Sequence, residues 1–235
     1  MKAIIINKKE IAKGTLSVEL EIIEENVSFK PGQFFMLELM NPPYRDEKGN
    51  RRYFSIVNSP NEKDVLAMTT RLSDSAFKRS LKEMPVGTTV EIDHIAGLFT
   101  LPKERVTPLV FIAGGIGITP FISMLRYIEE EKLDYKVTVF YSNREKSSTA
   151  FYDELQELAK KMKNIKVVFI MTNDPDWQGE RRMIDVKFIK DYFPEPDRNI
   201  YMVAGPPPMV KGVAATLKAA RVDEENIITE NFAGY

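Results

Sequence analysis

Three glycines in four positions, Gly114, Gly115 and Gly117, separate an apolar run from a segment with the apolar spacing of a helix. This order predicts a buried strand, a tight turn and a helix. Glycine lets the turn adopt backbone conformations closed to other residues and lets a ligand lie against bare peptide. Because helix-start amides favour negative charge, the turn predicts a diphosphate site. The spacing departs from GxGxxG, so an ordinary strand-to-helix corner is the alternative.

A second segment with chemical potential is the run Arg-Arg-Tyr-Phe-Ser-Ile at residues 51–56. Strand alternation predicts Arg52 and Phe54 on one side, with Tyr53 and Ser55 on the other. An arginine beside aromatic rings and a hydroxyl can hold a phosphate, stack a flat ring and give it a hydrogen bond. An amphipathic strand with exposed arginines fits the same pattern, and the residues alone do not decide between them.

The composition limits the classes of function. With 33 basic and 34 acidic residues in 235, the net charge favours neither nucleic acid nor an anionic membrane as partner. The 43% hydrophobic content is typical of a soluble globular protein. No signal pattern or membrane-span length of apolar residues is visible, which predicts a cytoplasmic protein without a membrane span.

The chain contains no cysteine and one histidine, His94. The absence of cysteine excludes a disulfide framework, a thiolate nucleophile, a thiolate-bound zinc and an iron-sulfur cluster held by this chain alone. A single histidine cannot form a histidine-based metal site, and His94 lies in an alternating, strand-like segment. The sequence therefore predicts no metal site.

The secondary-structure pattern changes near residues 101–108, a charged, proline-bracketed link. Before it, short alternating segments broken by Pro, Gly and Asn predict an antiparallel barrel or sandwich. Beyond it, strands and helices alternate, which predicts a parallel sheet with helices on both faces. Ligands bind beyond the carboxyl ends of such strands, so the glycine turn and the Gly205-Pro206 segment are predicted to flank one crevice.

Six segments taken together resemble the ferredoxin-NADP reductase superfamily, and they occur in the family's order. They are Pro31-Gly32-Gln33-Phe34, Arg52-Tyr53-Phe54-Ser55, Gly97-Leu98-Phe99-Thr100-Leu101, Ala113 to Pro120, Gly205-Pro206-Pro207-Pro208-Met209 and Glu230 to Tyr235. The resemblance implies two domains: an N-terminal antiparallel six-stranded β-barrel that binds FAD, residues 1–103, and an α/β parallel-sheet domain that binds NAD(P), residues 104–235.

The resemblance also implies flavin-binding roles in the barrel. Arg52 is expected to bind the flavin diphosphate, Phe54 to pack on the flavin next to Tyr53, and Ser55 to act in catalysis by hydrogen-bonding flavin N5. Ser75, Phe77 and Lys78 replace the usual Gly-x-x-Ser phosphate loop, and Lys78 supplies positive charge, which leaves FAD favoured over FMN. The backbone at Thr69, Thr70 and Arg71 is expected to meet the pyrimidine edge of the flavin.

In the second domain, the resemblance implies a nicotinamide nucleotide site. Its expected residues are Gly114, Gly115, Gly117 and Thr119 at the diphosphate and ribose, and Gly205, Pro206 and Met209 at the nicotinamide. Ala204 replaces the cysteine common before Gly-Pro-Pro. Phe232 and Tyr235 are candidates to cover the flavin, with Glu230 as a catalytic or buffering carboxyl; a C-terminus whose rings pack on the core is the alternative.

Donor preference is expected to depend on the residues after Tyr141. Ser142 and Arg144 offer a hydroxyl and a guanidinium where an acidic residue would repel a phosphate, and Arg182 lies in a segment similar to the 2′-phosphate pocket of plant-type members. These residues favour NADPH. If the arginines are surface charges, NADH is the donor.

The expected function is therefore a FAD-dependent oxidoreductase in which hydride passes from NADPH or NADH to flavin N5 and electrons then pass to a protein or small-molecule acceptor. The chain is expected to be a monomer or weak dimer. Two alternatives stay open: an electron-relay flavoprotein subunit of a larger complex, and a flavin reductase that releases reduced flavin.

Overall fold

The computed structural model describes residues 1–23, 27–103 and 106–232. Contacts divide the chain into two compact units. The first comprises Met1–Leu101 with Thr119–Tyr127, and the second comprises Pro102–Ile118 with Ile128–Tyr235.

The first unit contains a six-stranded antiparallel sheet in the order β4-β3-β6-β1-β2-β5. The strands are β1 (Lys2–Ala12), β2 (Thr15–Ile22), β3 (Phe34–Leu39), β4 (Arg51–Ser55), β5 (Val65–Arg71) and β6 (Thr89–Ala96). Alternate residues of β2 and β3 are buried, as the period-two pattern predicts. Their apolar side chains form one core that includes Phe35, Leu37, Phe54 and Phe77.

Hydrogen bonds link the two edge strands of this sheet, which makes it barrel-like. Beyond β4, the amide of Val57 donates to the carbonyl of Ala67 in β5 at 2.8 Å. The amide of Ala67 in turn donates to Oδ1 of Asn58 at 2.7 Å. These bonds satisfy backbone groups that an open sheet edge would leave unpaired.

Helix α1 (Ala76–Glu83) is the one helix of the described chain between β5 and β6. Ser75 is its N-cap, and its Oγ accepts from the amide of Lys78 at 3.4 Å. Phe77 and Leu81, four residues apart, place one face of the helix in the core. A turn was predicted for residues 75–78; that prediction missed this helix.

The second unit contains a five-stranded parallel sheet in the order β11-β10-β7-β8-β9. Its strands are β7 (Leu109–Gly114), β8 (Val137–Asn143), β9 (Ile165–Met171), β10 (Ile200–Gly205) and β11 (Ile227–Asn231). The helices that follow β7 in the chain are α2 (Thr119–Glu130), α3 (Tyr152–Lys161), α4 (Val186–Tyr192) and α5 (Pro207–Ala219). Most of α2 groups with the first unit. All six residues of β7 are buried, as its uninterrupted apolar run predicts.

The predicted fold class, a six-stranded antiparallel barrel followed by a parallel α/β sheet, is confirmed. Strand β11 is an element that the sequence does not predict: Glu230 to Tyr235 is expected to form a tail, and no element is expected at residues 227–229. In the described residues, no helix has both the length and the apolar character needed to cross a membrane.

Candidate cofactor-binding sites

The first candidate site is a cationic cluster at the start of α1. The guanidinium carbon of Arg52 lies 5.2 Å from the centre of the Phe77 ring. The next residue, Lys78, is only 6% exposed. Arg52 donates through Nη1 to the carbonyls of Lys48 and Arg51, at 2.8 and 2.6 Å. The cluster therefore joins two positive charges that come from β4 and α1.

The electrostatics of this cluster fit an anion. Burial, and then the charge of Arg52, lower the pKa of Lys78 to about 8. The positive charges of Arg52 and Lys78 thus repel each other, and neither is fully hydrated. The Nη2 atom of Arg52 is buried and has no hydrogen-bond partner among the described residues. A diphosphate would supply the missing acceptor and oppose the repulsion, so these residues fit the diphosphate of FAD.

The amide end of α1 completes this site. Ser75 caps the helix, and the amide of Ala76 donates to Oδ2 of Asp46 at 3.2 Å. Asp46 is a residue that sequence reasoning missed; its carboxylate occupies the position where a phosphate oxygen would be favourable. The signal that could have revealed α1 is Ser75 followed by Phe77 and Leu81, an N-cap before apolar residues four apart.

The motif residues on β4 differ in burial. Phe54 is 2% exposed and packs among Phe35 and Phe77, with ring centres 6.5 and 5.8 Å away. Ser55 is buried, whereas Tyr53 is 52% exposed. The role of Phe54 in flavin packing and that of Ser55 at N5 stay predictions. The placement makes the exposed Tyr53 ring the more accessible of the two aromatics.

The three β5 residues predicted to meet the flavin edge follow one another at the end of the strand. Thr69 Oγ1 donates to Ser17 Oγ at 3.2 Å, and Thr70 is buried. Arg71 Nη1 donates to Thr15 Oγ1 at 2.9 Å. The side chains of Thr69 and Arg71 thus bond to β2, and Thr70 Oγ1 donates to the carbonyl of Arg71. A contact of their backbone with the flavin stays a prediction.

In the second unit, the two glycine segments are in contact. A Cβ on Gly114 would lie 2.8 Å from the sulfur of Met209, and one on Gly117 would overlap the carbonyl oxygen of Ala204. A Cβ on Gly205, whose φ is 157°, would lie 3.0 Å from the same sulfur atom. The backbones therefore approach so closely that side chains are excluded.

Position 115 favours glycine for a different reason, which is its backbone conformation and not close packing. Its φ is 55°, and a Cβ there would meet nothing within 4 Å. The backbone at Gly115 thus borders open space, in a left-handed conformation that favours glycine. Thr119, at the start of α2, is buried, and Pro206 is exposed. Bare peptide that faces open space just after the carboxyl end of β7 fits the diphosphate of a dinucleotide.

The sheet order explains why these two segments meet. From β7 the chain runs outward to β8 and β9, and then returns to form β10 on the other side of β7. The strand order therefore reverses between β7 and β10, and the carboxyl ends of these strands are Gly114 and Gly205. Such a reversal is where open α/β sheets bind ligands. The crevice predicted between the two glycine segments would lie at this position, and it stays a prediction.

The arginines proposed for the donor's phosphate are not equivalent. Arg182 donates to Glu180 and Asp191, each at 2.7 Å. These bonds lower the pKa of Glu180 to about 2 and raise that of Arg182. Arg144, directly after β8, is exposed, and Ser142 is half-buried. Arg182 is thus already neutralised by carboxylates, which leaves Arg144 as the better phosphate ligand.

Glu230 lies on β11 beside Ala204 of β10. Burial raises its pKa to about 7, and its Oε2 has no hydrogen-bond partner among the described residues. The next aromatic, Phe232, is half-buried, and its amide donates to the carbonyl of Gly205 at 3.0 Å. Tyr235 lies outside the described residues. Glu230 and Phe232 are thus next to the glycine segment of β10.

We expect Glu230→Gln to stabilise the protein above pH 7. With the pKa raised from 4.5 to about 7, the folded state resists ionisation, so wild-type stability falls as pH rises from about 4.5 to 7. The amide removes this loss, which is worth roughly 1–3 kcal/mol. Thermal unfolding from pH 4 to 8 measures it. Equal pH dependence in both proteins would contradict the assignment, and the exposed Glu225→Gln is the control.

Among the described residues, no group of three histidine or acidic side chains is placed to hold a metal ion. The two units offer a cationic cluster at Arg52 and Lys78, bare glycine backbone at Gly115, and a Glu230 carboxyl whose pKa is raised to about 7.

Comparison with known proteins agrees with these features. Residues 111–215 match the oxidoreductase NAD-binding domain family. The anthranilate 1,2-dioxygenase electron transfer component of Acinetobacter baylyi is 29% identical over 211 residues, which cover 88% of this chain and 59% of the relative. The chain spans less than two thirds of the length of several such curated relatives.

Two solved structures share the fold. A cytochrome P450 reductase of Amycolatopsis superposes with a TM-score of 0.85 at 22% identity, covering 99% of this chain and 70% of the other. A ferredoxin NADP+ reductase of Neisseria gonorrhoeae, solved with bound FAD and NADP, gives 0.80 at 23% identity and covers 98% of both chains. Residues 111–215 thus match the oxidoreductase NAD-binding domain family, and the chain as a whole shares the fold of these reductases.

Proposed function

We propose that this chain is a FAD-dependent NAD(P)H oxidoreductase that moves hydride from the nicotinamide to flavin N5 and then passes electrons to an acceptor. The observation that carries the proposal is the cluster of half-buried Arg52 and buried Lys78 at the start of α1. It is an anion site in a chain whose second unit matches an oxidoreductase NAD-binding domain. The comparisons support the same class of enzyme and the same two cofactors.

FAD, when bound, supplies the N5 atom that accepts hydride. Arg52 and Lys78 would hold its diphosphate, together with the α1 amides beside Ser75, one of which donates to Asp46 in this structure. Ser55 would supply a hydroxyl hydrogen bond to N5. In the second unit, Gly115 lets the dinucleotide diphosphate lie against the backbone, and Glu230 can hold or release a proton at Oε2 near neutral pH.

We assign the FAD domain to residues 1–103 and the NAD(P) domain to residues 104–235. A cytoplasmic location and a monomer or weak dimer are part of the same proposal. Limited proteolysis near residue 103, followed by mass spectrometry and gel filtration of the uncut chain, tests the boundary and the oligomeric state.

For the donor, we propose NADPH, with Ser142 and Arg144 as ligands of the 2′-phosphate. Arg144 is exposed and follows β8 directly, whereas Arg182 is held by two carboxylates. The resemblance to plant-type members suggested both arginines, and the geometry favours the first.

We expect Arg144→Ala to raise the KM for NADPH about tenfold and to leave the KM for NADH within twofold, because a charged hydrogen bond to phosphate is worth about 1.5–3 kcal/mol. Arg182→Ala is the matched control and should not change the NADPH-to-NADH ratio. Steady-state reduction of ferricyanide with each donor measures both. Equal loss with the two donors after Arg144→Ala would show that Arg144 does not bind the 2′-phosphate and would overturn this assignment.

For the electron acceptor, we propose a class of protein and not an individual one. Relatives are electron transfer or reductase components of dioxygenases and monooxygenases, which supports an oxygenase or another redox protein as acceptor. A second candidate is an electron-relay flavoprotein subunit of a larger complex, which relatives named as electron transfer components support. The absence of cysteine in this chain favours the free-standing enzyme over it.

Purification of the chain with FAD separates these functions. The proposed enzyme retains yellow flavin through gel filtration and oxidises NADPH or NADH with ferricyanide. Bound flavin that is reduced but turns over slowly with free acceptors would support the relay subunit. Loss of flavin on the column, with turnover restored by added FAD, would support a flavin reductase. A protein that takes up no flavin would refute all three.

A further inference from the structure

Lys8, on the inner strand β1 of the first sheet, contacts the end of helix α1. Its side chain leaves β1 and its ammonium donates to three backbone carbonyls at the end of α1. The distances are 3.2 Å to Leu81 and 2.7 Å to Lys82, and the third acceptor is Met84. Burial lowers the pKa of Lys8. One amine thus satisfies most of the acceptors that the helix end leaves unpaired.

The contact is electrostatically favourable because the carbonyl end of a helix carries partial negative charge. The contact with Lys8 also affects how often helix α1 is formed. Helix α1 has only eight residues, and isolated helices of this length are marginal in water. Contacts at its middle and end therefore determine how often it is formed. Ser80 provides one by exchanging hydrogen bonds with the backbone of Tyr44, and Lys8 provides the other.

The opposite end of the same helix carries the candidate diphosphate site. Ser75 caps it, and Lys78 lies in its first turn beside Arg52. The helix is about 12 Å long at 1.5 Å per residue, so Lys8 acts on this site only through the helix. We propose that Lys8 is a positioning residue: by fixing the carbonyl end of α1, it holds the helix amides and Lys78 where they bind the flavin diphosphate. This inference rests on the proposed function.

The expected effect on the affinity for FAD follows from the fraction of molecules in which α1 is properly placed. If loss of the ammonium leaves α1 properly placed only part of the time, FAD binds only that fraction, and its apparent Kd rises in proportion. A ligand without phosphate does not use the helix start. Its affinity should therefore hardly change, which separates positioning from general loss of structure.

The test compares Lys8→Met with Lys9→Met in the full chain stripped of flavin. Lys9 is the adjacent, exposed lysine of β1 and is the matched control. FAD and riboflavin are titrated by fluorescence, with thermal unfolding followed in parallel. For Lys8→Met, we expect a rise of about five- to tenfold in the Kd for FAD and less than twofold for riboflavin. Lys9→Met should match the wild type, and Lys8→Arg should recover most of the loss.

Unchanged FAD affinity in Lys8→Met, or equal loss of FAD and riboflavin, would overturn the positioning role. If Lys8→Met does not fold, Lys8→Gln, which keeps a donor, is judged by the same two ratios. Failure of the proposed function is recognised separately, because the wild-type chain would then bind no FAD at all.

Discussion

Replacing Lys78 by methionine is expected to weaken FAD binding by roughly 10- to 100-fold, since a hydrogen bond to a charged group is worth about 1.5–3 kcal/mol. Lys78 is 6% exposed and adjoins Arg52, whose Nη2 has no partner among the described residues. Removal of one of two cations also removes charge that a diphosphate needs. Titration of the flavin-free chain with FAD, monitored by flavin fluorescence, measures the loss.

The same substitution should stabilise the protein without flavin. The pKa of Lys78 is lowered from 10.5 to about 8, so below pH 8 the folded state carries a buried charge that the unfolded state solvates. This penalty disappears as pH rises from about 8 to 10.5, where wild-type stability increases. Methionine removes it at every pH, with a ceiling of about 3 kcal/mol at pH 7. We therefore expect thermal unfolding to show different stabilities for the wild type and Lys78→Met at pH 7, and similar stabilities at pH 10.

FAD binding by the wild type should have the opposite pH dependence. Above pH 8 the flavin-free chain loses the Lys78 proton, so the affinity falls. Lys82→Met, on the exposed side of the same helix, is the control and should change neither property. If Lys78→Met binds FAD like the wild type, the diphosphate does not bind at this cluster and the flavin-site proposal fails.

The strands that carry the candidate site could be predicted from the sequence because a local residue pattern determines each of them. The apolar run before Gly114 determines a fully buried strand, and alternation in β2 and β3 determines half-buried ones. Both glycine segments follow strands, so a parallel sheet had to bring them to one edge. The order of strands put them side by side, because the return after β9 places β10 against β7.

Other features depend on tertiary contacts that no local pattern shows. Arg144 and Arg182 look equivalent in the sequence, and only the folded chain places Glu180 and Asp191 around the second. Phe54 was predicted at the flavin, but its burial depends on Phe35 and Phe77 from two other elements. The contact of Lys8 with α1 spans more than seventy residues of chain, so it has no sequence signature.

The second large effect is expected at Gly117. Alanine there would overlap the Ala204 carbonyl oxygen and lie 2.7 Å from Cα of Gly205. Both obstacles are backbone atoms of β10, so relief requires the strand end to move rather than a side chain to rotate. Overpacking of this kind costs about 1–3 kcal/mol of unfolding free energy. Because the strand end that moves carries Gly205, we also expect the Kd for the nicotinamide nucleotide to rise at least tenfold.

Gly212→Ala is the matched control for Gly117→Ala. Gly212 lies on the exposed side of α5, where a Cβ meets nothing within 4 Å. Alanine there should stabilise the protein by about 0.5–1 kcal/mol through helix propensity. Thermal unfolding and NADPH titration of both variants give the comparison. A Gly117→Ala protein that binds NADPH with wild-type affinity would mean that the close approach of β7 and β10 serves packing alone, and that the dinucleotide binds elsewhere in the second unit.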